Sequence, residues 1–216
     1  MQRTDVREQM IEQQVRAWDV LDERVLDVMR RVPREPFAPP EHAYLAYADV
    51  EVPLPCGQHM LRPSVAGRVL QALMPAPDEP VLEVGAGSGF LTACLSAFGA
   101  RVRSLEVFAE LAGAARRNLD ALGMRDTEVL EADAFSFESG ARYGAIVLTG
   151  SLPLYDARFE RMLGVGGRLF AVVGEAPVME ARLVRRTAED AWATESLFET
   201  VIDALVNAAR PPQFTF

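Results

Sequence analysis

Residues 81–90 read VLEVGAGSGF, a short apolar run that leads into three glycines at alternate positions. The apolar residues of this run suit a strand that is buried on both faces of a sheet. Gly85, Gly87 and Gly89 suit a turn where another molecule lies close against the backbone, because glycine adopts left-handed conformations without steric cost. The sequence therefore predicts a buried strand that leads directly into a ligand-binding turn.

Helical and strand patterns alternate on both sides of this turn. The predicted strands are 80–84, 101–105, 127–131, 143–149 and 167–173. The predicted helices are 64–74, 89–98, 108–122 and 156–163. Alternation of this kind predicts an α/β fold, a doubly wound, mostly parallel sheet with helices on both faces. ARLVRRT and ATESLFETV, separated by the turn-like AEDA, predict an antiparallel C-terminal hairpin that closes one edge and brings the sheet to seven strands.

The N-terminal part has a different character. Apolar spacing predicts helices within 5–32, with Asp22 as the N-cap of the second and Pro33 as its stop. Residues 33–61 are rich in proline and lack periodicity, as is typical of a functional cover. We expect one domain over 1–216, made of N-terminal helices and a cover loop (1–63), a cofactor-binding core (64–175), and a C-terminal hairpin and tail (176–216).

Composition narrows the function. The 216 residues, 50% of them apolar, are enough for one well-filled core. The net charge of −9, from 22 basic and 31 acidic residues, argues against a nucleic-acid partner. No apolar run reaches the length of a membrane span, and the N-terminal residues show no signal-peptide core. Cys56 and Cys94 are isolated, which predicts no metal site and no disulfide, and favours a cytoplasmic location.

The glycine turn also indicates a class of ligand. A dinucleotide fingerprint would place its third glycine at position 90, which is Phe90 in this chain. The observed E-x-G-x-G-x-G, from Glu83 to Gly89, resembles the first motif of class I methyltransferases, which bind S-adenosyl-L-methionine. The resemblance implies that Glu83 serves the ammonium end of the cofactor. It also implies that the amino-acid tail and ribose lie against the turn formed by Gly85, Ala86, Gly87 and Gly89.

Two further acids follow the next two strands. Glu106 ends RVRSLE, where a carboxylate can accept hydrogen bonds from both ribose hydroxyls; capping of the following helix is a compatible alternative. Asp133 follows the third strand, where methyltransferases place a polar group beside the adenine amino group; a solvated turn residue is the alternative. Val107 and Ala134, which follow these acids, complete the predicted cofactor site.

The N-terminal half carries a more specific resemblance. MIEQQVR, DERVLDVMRRVPREPF, AYAD and PLP…GQ, followed by VLEVGAGSGFLTA and GVGGRLFAVVG, resemble the protein-L-isoaspartate O-methyltransferase family over about residues 7–175. The resemblance implies methyl transfer from S-adenosyl-L-methionine to the α-carboxylate of L-isoaspartyl residues in damaged proteins or peptides. A carboxylate is already ionised at neutral pH, so this reaction requires no general base, and neither His42 nor His59 needs a proton-transfer role.

The predicted substrate loop departs from the family. Members usually read G-Q-T-I-S-x-P, where the serine hydroxyl helps to hold the acceptor carboxylate, whereas this chain reads Gly57-Gln58-His59-Met60-Leu61-Arg62-Pro63. Leu61 has no hydrogen-bonding group, and His59, Arg62 or a backbone N–H could replace the lost donor. Three hypotheses stay open at this point: an isoaspartyl methyltransferase, a methyltransferase with another acceptor, and a binding module without turnover.

Overall fold

The computed structural model describes residues 3–124 and 126–212. The helices are α1 (Arg3–Met10), α2 (Glu23–Arg31), α3 (Pro63–Leu73), α4 (Phe90–Ala97), α5 (Ala109–Ala121) and α6 (Arg158–Arg161). The strands are β1 (Val52–Pro53), β2 (His59–Met60), β3 (Pro80–Val84), β4 (Arg101–Glu106), β5 (Thr127–Glu131), β6 (Tyr143–Leu152), β7 (Leu163–Glu175), β8 (Val178–Ala188) and β9 (Ala191–Glu199).

Seven of these strands form one sheet in the order β5-β4-β3-β6-β7-β8-β9. The first five run parallel, and β8 and β9 continue the sheet as antiparallel neighbours. The predicted mostly parallel sheet with an antiparallel C-terminal hairpin is confirmed. β8 begins three residues earlier than predicted and ends one residue later. β9 begins and ends two residues earlier than predicted, so Thr200 and Val201 lie beyond the last strand.

Alternate residues of each central strand face two separate cores. On β3, Val81 packs with buried residues of α2, α3, α4 and α5, while Leu82 and Val84 face the other side. On that other side they pack with β6 and β7 residues and with Phe159 of α6. Because both faces are buried, these strands read as continuous apolar runs rather than as alternating patterns.

The first predicted helix is only partly regular. α1 ends at Met10, and the chain continues through a π-helical turn (Ile11–Val15) and a 3₁₀ turn (Arg16–Trp18). Asp19 then takes a left-handed conformation, with φ of 59°, which ends the helical path. Asp22 is the N-cap of α2, where its side chain accepts a hydrogen bond from the Arg24 N–H, as predicted.

The segment 33–61 is more ordered than its sequence suggests. It contains three 3₁₀ turns (Glu35–Phe37, Pro40–Leu45 and Pro55–Gly57), and β1 pairs antiparallel with β2. Phe37, Ala46 and Val52 of this segment are buried in the core on the Val81 side of the sheet. The segment thus forms only short turns and two-residue strands, and buried apolar side chains anchor it between the prolines.

None of the helices in the described ranges has the length and apolar content that a bilayer-spanning helix needs.

Arg168 joins the end of α3 to the sheet. Its guanidinium forms two parallel hydrogen bonds to the Glu79 carboxylate, of 2.5 and 2.9 Å, and donates to the carbonyls of Leu73 and Met74. Both charged side chains are largely buried, at 12% and 16% exposed. Removal of one partner from such a pair strands the other charge in a poorly solvated site.

We expect Arg168→Met to lower the free energy of unfolding by about 3 kcal/mol, because it leaves Glu79 without its charged partner and the carbonyls of Leu73, Met74 and Gly144 without this donor. Arg103→Met is the matched control, since Arg103 pairs with Glu128 at the exposed sheet surface and such pairs contribute about 1 kcal/mol or less. Urea unfolding of both variants measures the difference. Equal losses would contradict this account.

Candidate functional site

A crevice opens at the carboxyl ends of β3, β4, β5 and β6, where α/β sheets bind their ligands. The predicted cofactor residues that line it are Gly85, Gly87, Glu106, Val107, Asp133 and Ala134. The parallel register that aligns Val84 with Leu105 and Leu148 brings these strand ends together.

The glycine turn has the conformation that its sequence predicts. Gly85, Gly87 and Gly89 all have positive φ, of 91°, 53° and 87°. A side chain at Gly85 would place its Cβ atom 2.3 Å from Oγ1 of Thr149, so only glycine fits there. Gly89 does not line this crevice; it is the N-cap of α4, and a Cβ atom at this position would lie only 3.3 Å from the backbone of Ala115. Its place in the motif is explained by helix packing.

Glu106 ties two strand ends together. One of its carboxylate oxygens accepts a hydrogen bond from the Gly87 N–H at 2.8 Å, and the other accepts from the Phe108 N–H at 3.1 Å. The second bond caps the entry to α5, and the first fixes the glycine turn. A carboxylate oxygen has two lone pairs, so each oxygen of Glu106 can still accept from a ligand in the crevice.

Asp133 is held at the opposite wall. Its Oδ1 atom accepts from the Phe135 N–H at 2.9 Å, and its Oδ2 atom accepts from the side-chain amide of Asn207 at 3.0 Å. The Asn207 contact links the crevice to the C-terminal tail, a connection that no local pattern indicated.

A smaller cavity adjoins the crevice behind the glycine turn, and Glu83 and Ala86 line it. Glu83 is fully buried, and its Oε2 atom accepts hydrogen bonds from Thr92 and Ser104. Its Oε1 atom is buried and has no hydrogen-bond partner in the described part of the chain. Burial raises the pKa of Glu83 to about 7, against the opposing effect of the two hydroxyl donors.

Arg34 lines the same small cavity, which the sequence reasoning missed. Its side chain is fully buried, and its guanidinium carbon lies 4.8 Å from the centre of the Phe90 ring. Arg34 is distant in sequence from the glycine turn, and no periodic pattern or motif spacing connects the two.

The substrate loop divides between two surfaces. Gln58, His59 and Leu61 line the crevice, and the His59 Nδ1 atom lies 2.7 Å from the Asp203 carboxylate. Arg62 lies outside it: its side chain donates to Thr200 Oγ1 at 3.1 Å and lies over the Trp18 ring. Arg62 is therefore engaged outside the crevice in this conformation.

The tail beyond β9 forms one wall of the crevice. Ser151 exchanges backbone hydrogen bonds with Asp203 and Leu205, which fastens the tail to β6. Residues 202–206 consequently line the crevice, and Glu51 of the N-terminal part lines it as well. Burial, together with nearby Asp203, raises the pKa of Glu51. These residues lack a motif, so the sequence reasoning had no signal for them.

The described residues contain no group of three or more histidine, cysteine, aspartate or glutamate side chains arranged to hold a metal ion.

Comparison with known proteins gives a consistent result. The family model for protein-L-isoaspartate(D-aspartate) O-methyltransferase matches residues 5–208. Protein-L-isoaspartate O-methyltransferase 2 of Pelobacter propionicus is 37% identical over 204 residues, covering 94% of this chain and 91% of the relative. The enzyme of that name from Koribacter versatilis is 36% identical over 183 residues, covering 84% and 82%.

A solved structure shares the fold. A Plasmodium falciparum protein described as a protein-L-isoaspartate O-methyltransferase, crystallised with S-adenosyl-L-homocysteine, superposes with a TM-score of 0.79 at 17% identity. The superposition covers 95% of this chain and 98% of that one.

We expect Glu83→Gln to raise the free energy of unfolding at pH 8 by about 3 kcal/mol. The folded-state pKa of about 7 lies above the ordinary value of 4.5, so the stability that the protonated group contributes is lost as pH rises from about 4.5 to 7. Glutamine keeps an oxygen for Thr92 and Ser104 but never ionises.

Urea unfolding of both proteins from pH 5 to pH 8 measures this difference, which at pH 5 should be under about 1 kcal/mol. The neighbouring groups Arg34, Cys94 and Glu106 are the same in both proteins, so their titration cancels to first order. A stability difference that stays constant across this range would contradict the assignment.

Proposed function

The chain belongs to the protein-L-isoaspartate O-methyltransferase family, and on that premise we propose that it methylates the α-carboxylate of L-isoaspartyl residues in damaged proteins. The observation that carries the proposal is the meeting of three strand ends, with the glycine turn, Glu106 and Asp133, in one crevice. The methyl donor of this proposal is S-adenosyl-L-methionine.

The residues of the site fit this cofactor. The unpartnered Oε1 atom of Glu83 suits an ammonium group, and the oxygens of Glu106 suit the ribose hydroxyls. Asp133 and Ala134 would border the adenine, with the apolar side chains of Leu105 and Phe135 nearby. When bound, the cofactor supplies an electrophilic methyl group on a sulfonium.

The protein's contribution to such a reaction is placement. An acceptor carboxylate is already an anion at neutral pH, so the loop must orient it and exclude water rather than remove a proton. Met60, Leu61 and Ile202 provide an apolar wall in the crevice. The Asp203 carboxylate orients the ring of His59 in the crevice by accepting a hydrogen bond from Nδ1. The Nε2 atom of the neutral imidazole is then an acceptor, and it becomes a donor to a carboxylate only in the protonated ring.

The cellular setting of the proposal is the cytoplasm, with protein or peptide chains as partners. Cys56 and Cys94 are both free thiols, which suits a reducing compartment. The net charge of −9 supports the expectation that nucleic acid is not a partner.

An assay with radiolabelled S-adenosyl-L-methionine and an L-isoaspartyl peptide tests the proposed activity. We expect base-labile methyl ester on the isoaspartyl peptide and none above background on the same peptide with ordinary aspartate. Absence of ester on both peptides, with intact cofactor binding by calorimetry, would reject the isoaspartyl assignment.

Leu61→Ser should raise turnover on the isoaspartyl peptide about ten- to hundredfold, because a hydrogen bond to a charged group contributes roughly 1.5–3 kcal/mol. Leu61 lines both the crevice and the small cavity, so a hydroxyl at this position would face the acceptor region. Leu61→Ala is the matched control, since it removes the bulk without adding a donor. If both variants change turnover equally, space rather than hydrogen bonding limits the reaction.

One observation favours a second candidate, a methyltransferase with another acceptor. Leu61 stands in the sequence where the family's usual G-Q-T-I-S-x-P pattern has serine, and its apolar side chain lines the crevice. Methyl transfer to a cell extract but not to the isoaspartyl peptide would select this alternative.

A further inference from the structure

Arg34 is a buried cation with unused hydrogen-bonding capacity. Only 1% of the residue is exposed, and its Nη2 atom donates to the Leu61 carbonyl. The Nε and Nη1 atoms are both buried and have no partner within residues 3–124 and 126–212. Two unpartnered donors on one buried guanidinium are costly in a protein that offers them no ligand.

Glu83, a buried acidic residue that also has an oxygen without a hydrogen-bond partner in the described structure, lines the same cavity. The unpartnered oxygen is its Oε1 atom. Burial raises the pKa of the Cys94 thiol, and the charges of Arg34 and Glu83 act on it in opposite directions. Arg34 and Glu83 thus line one cavity, and no salt bridge joins them in the described structure.

A ligand that carries one positive and one negative group on the same carbon atom would supply hydrogen-bond partners to both residues at once. The amino-acid end of S-adenosyl-L-methionine carries an ammonium and a carboxylate on a single carbon atom. We propose that Arg34 binds the carboxylate of the cofactor's amino-acid end through Nε and Nη1, opposite Glu83. This inference rests on the proposed function, since it takes the family's cofactor as the ligand.

The acceptor's carboxylate is the other possible source of an anion, and one observation disfavours it. Ala86, Gly87 and Ser88 of the glycine turn, the part of the fold assigned to the cofactor, line the small cavity together with Glu83. Residues 59–61 of the substrate loop line it as well, so the cavity lies where the cofactor end and the acceptor would meet. An acceptor anion in this cavity would lie near Glu83 without a positive charge of its own to offset the repulsion.

The same arginine connects the cofactor site to the substrate loop. Its Nη2 atom holds the backbone carbonyl of Leu61, whose side chain faces the crevice. Burial lowers the pKa of Arg34 to about 10, so the guanidinium stays charged at neutral pH. A cofactor carboxylate on the remaining donors would fix the side chain that supports this part of the loop.

Calorimetry with two ligands tests the proposal. S-Adenosyl-L-homocysteine contains the amino-acid end, and 5′-methylthioadenosine lacks it. We expect Arg34→Met to weaken the binding of S-adenosyl-L-homocysteine about ten- to hundredfold, as loss of hydrogen bonds to a charged group implies. Binding of 5′-methylthioadenosine should change by less than about threefold. Arg31→Met is the matched control, since Arg31 is exposed and lies at the end of α2, three residues before Arg34. This substitution should change the affinity for neither ligand.

Unchanged affinity of Arg34→Met for S-adenosyl-L-homocysteine, with a raised KM for the isoaspartyl peptide, would overturn the proposal and assign Arg34 to the acceptor. Equal weakening of both ligands would also overturn it, since a general distortion of the site has that effect. Absence of binding of either ligand to the unaltered protein would instead reject the proposed function itself.

A ligand-side measurement keeps the test independent of whether Arg34→Met folds. The unaltered protein should bind S-adenosyl-L-homocysteine about tenfold or more tighter than its decarboxylated analogue, which keeps the amine and lacks only the carboxylate. Equal affinities would show that no residue recognises the carboxylate, and the inference would fail.

Discussion

The hydrogen bond from the Gly87 N–H to Glu106 holds together the two strand ends on which the site depends. β3 and β4 run parallel and in register, so their last residues arrive at one edge of the sheet. The bond, at 2.8 Å, then fixes the glycine turn against the neighbouring strand. The crevice, the start of α4 and the entry to α5 all take their positions from this junction.

Two buried charged residues in the site lower the stability of the fold when no ligand is bound. Glu83 and Arg34 are both buried and both keep unpartnered polar atoms in the described structure, an arrangement that costs free energy in the absence of a ligand. A core selected only for stability would place apolar side chains there. Such costs are typical of binding sites, where the ligand supplies the missing partners.

The sequence predicted those features of the fold and the site that depend on local sequence patterns. Glu83 lies near the end of β3, Glu106 ends β4 and Asp133 follows β5, and parallel strands bring such residues to one edge of the sheet. Arg34 and Asp203 reach the site through contacts with residues far away in the chain, so no spacing rule could find them. Arg62 was placed in the substrate loop by sequence position, but its partner Thr200 is 138 residues away and draws it to another surface. The predicted N-terminal helix departs from regular α-helical geometry only beyond Met10, where the buried residues Ile11 and Val15 lie in a π-helical turn.

The most direct test of the central claim is a crystal structure of this protein with S-adenosyl-L-homocysteine. The account predicts the adenosine between Glu106 and Asp133, with the amino-acid end behind the glycine turn between Glu83 and Arg34. Ligand bound elsewhere, or a crevice without ligand at a saturating concentration, would contradict it.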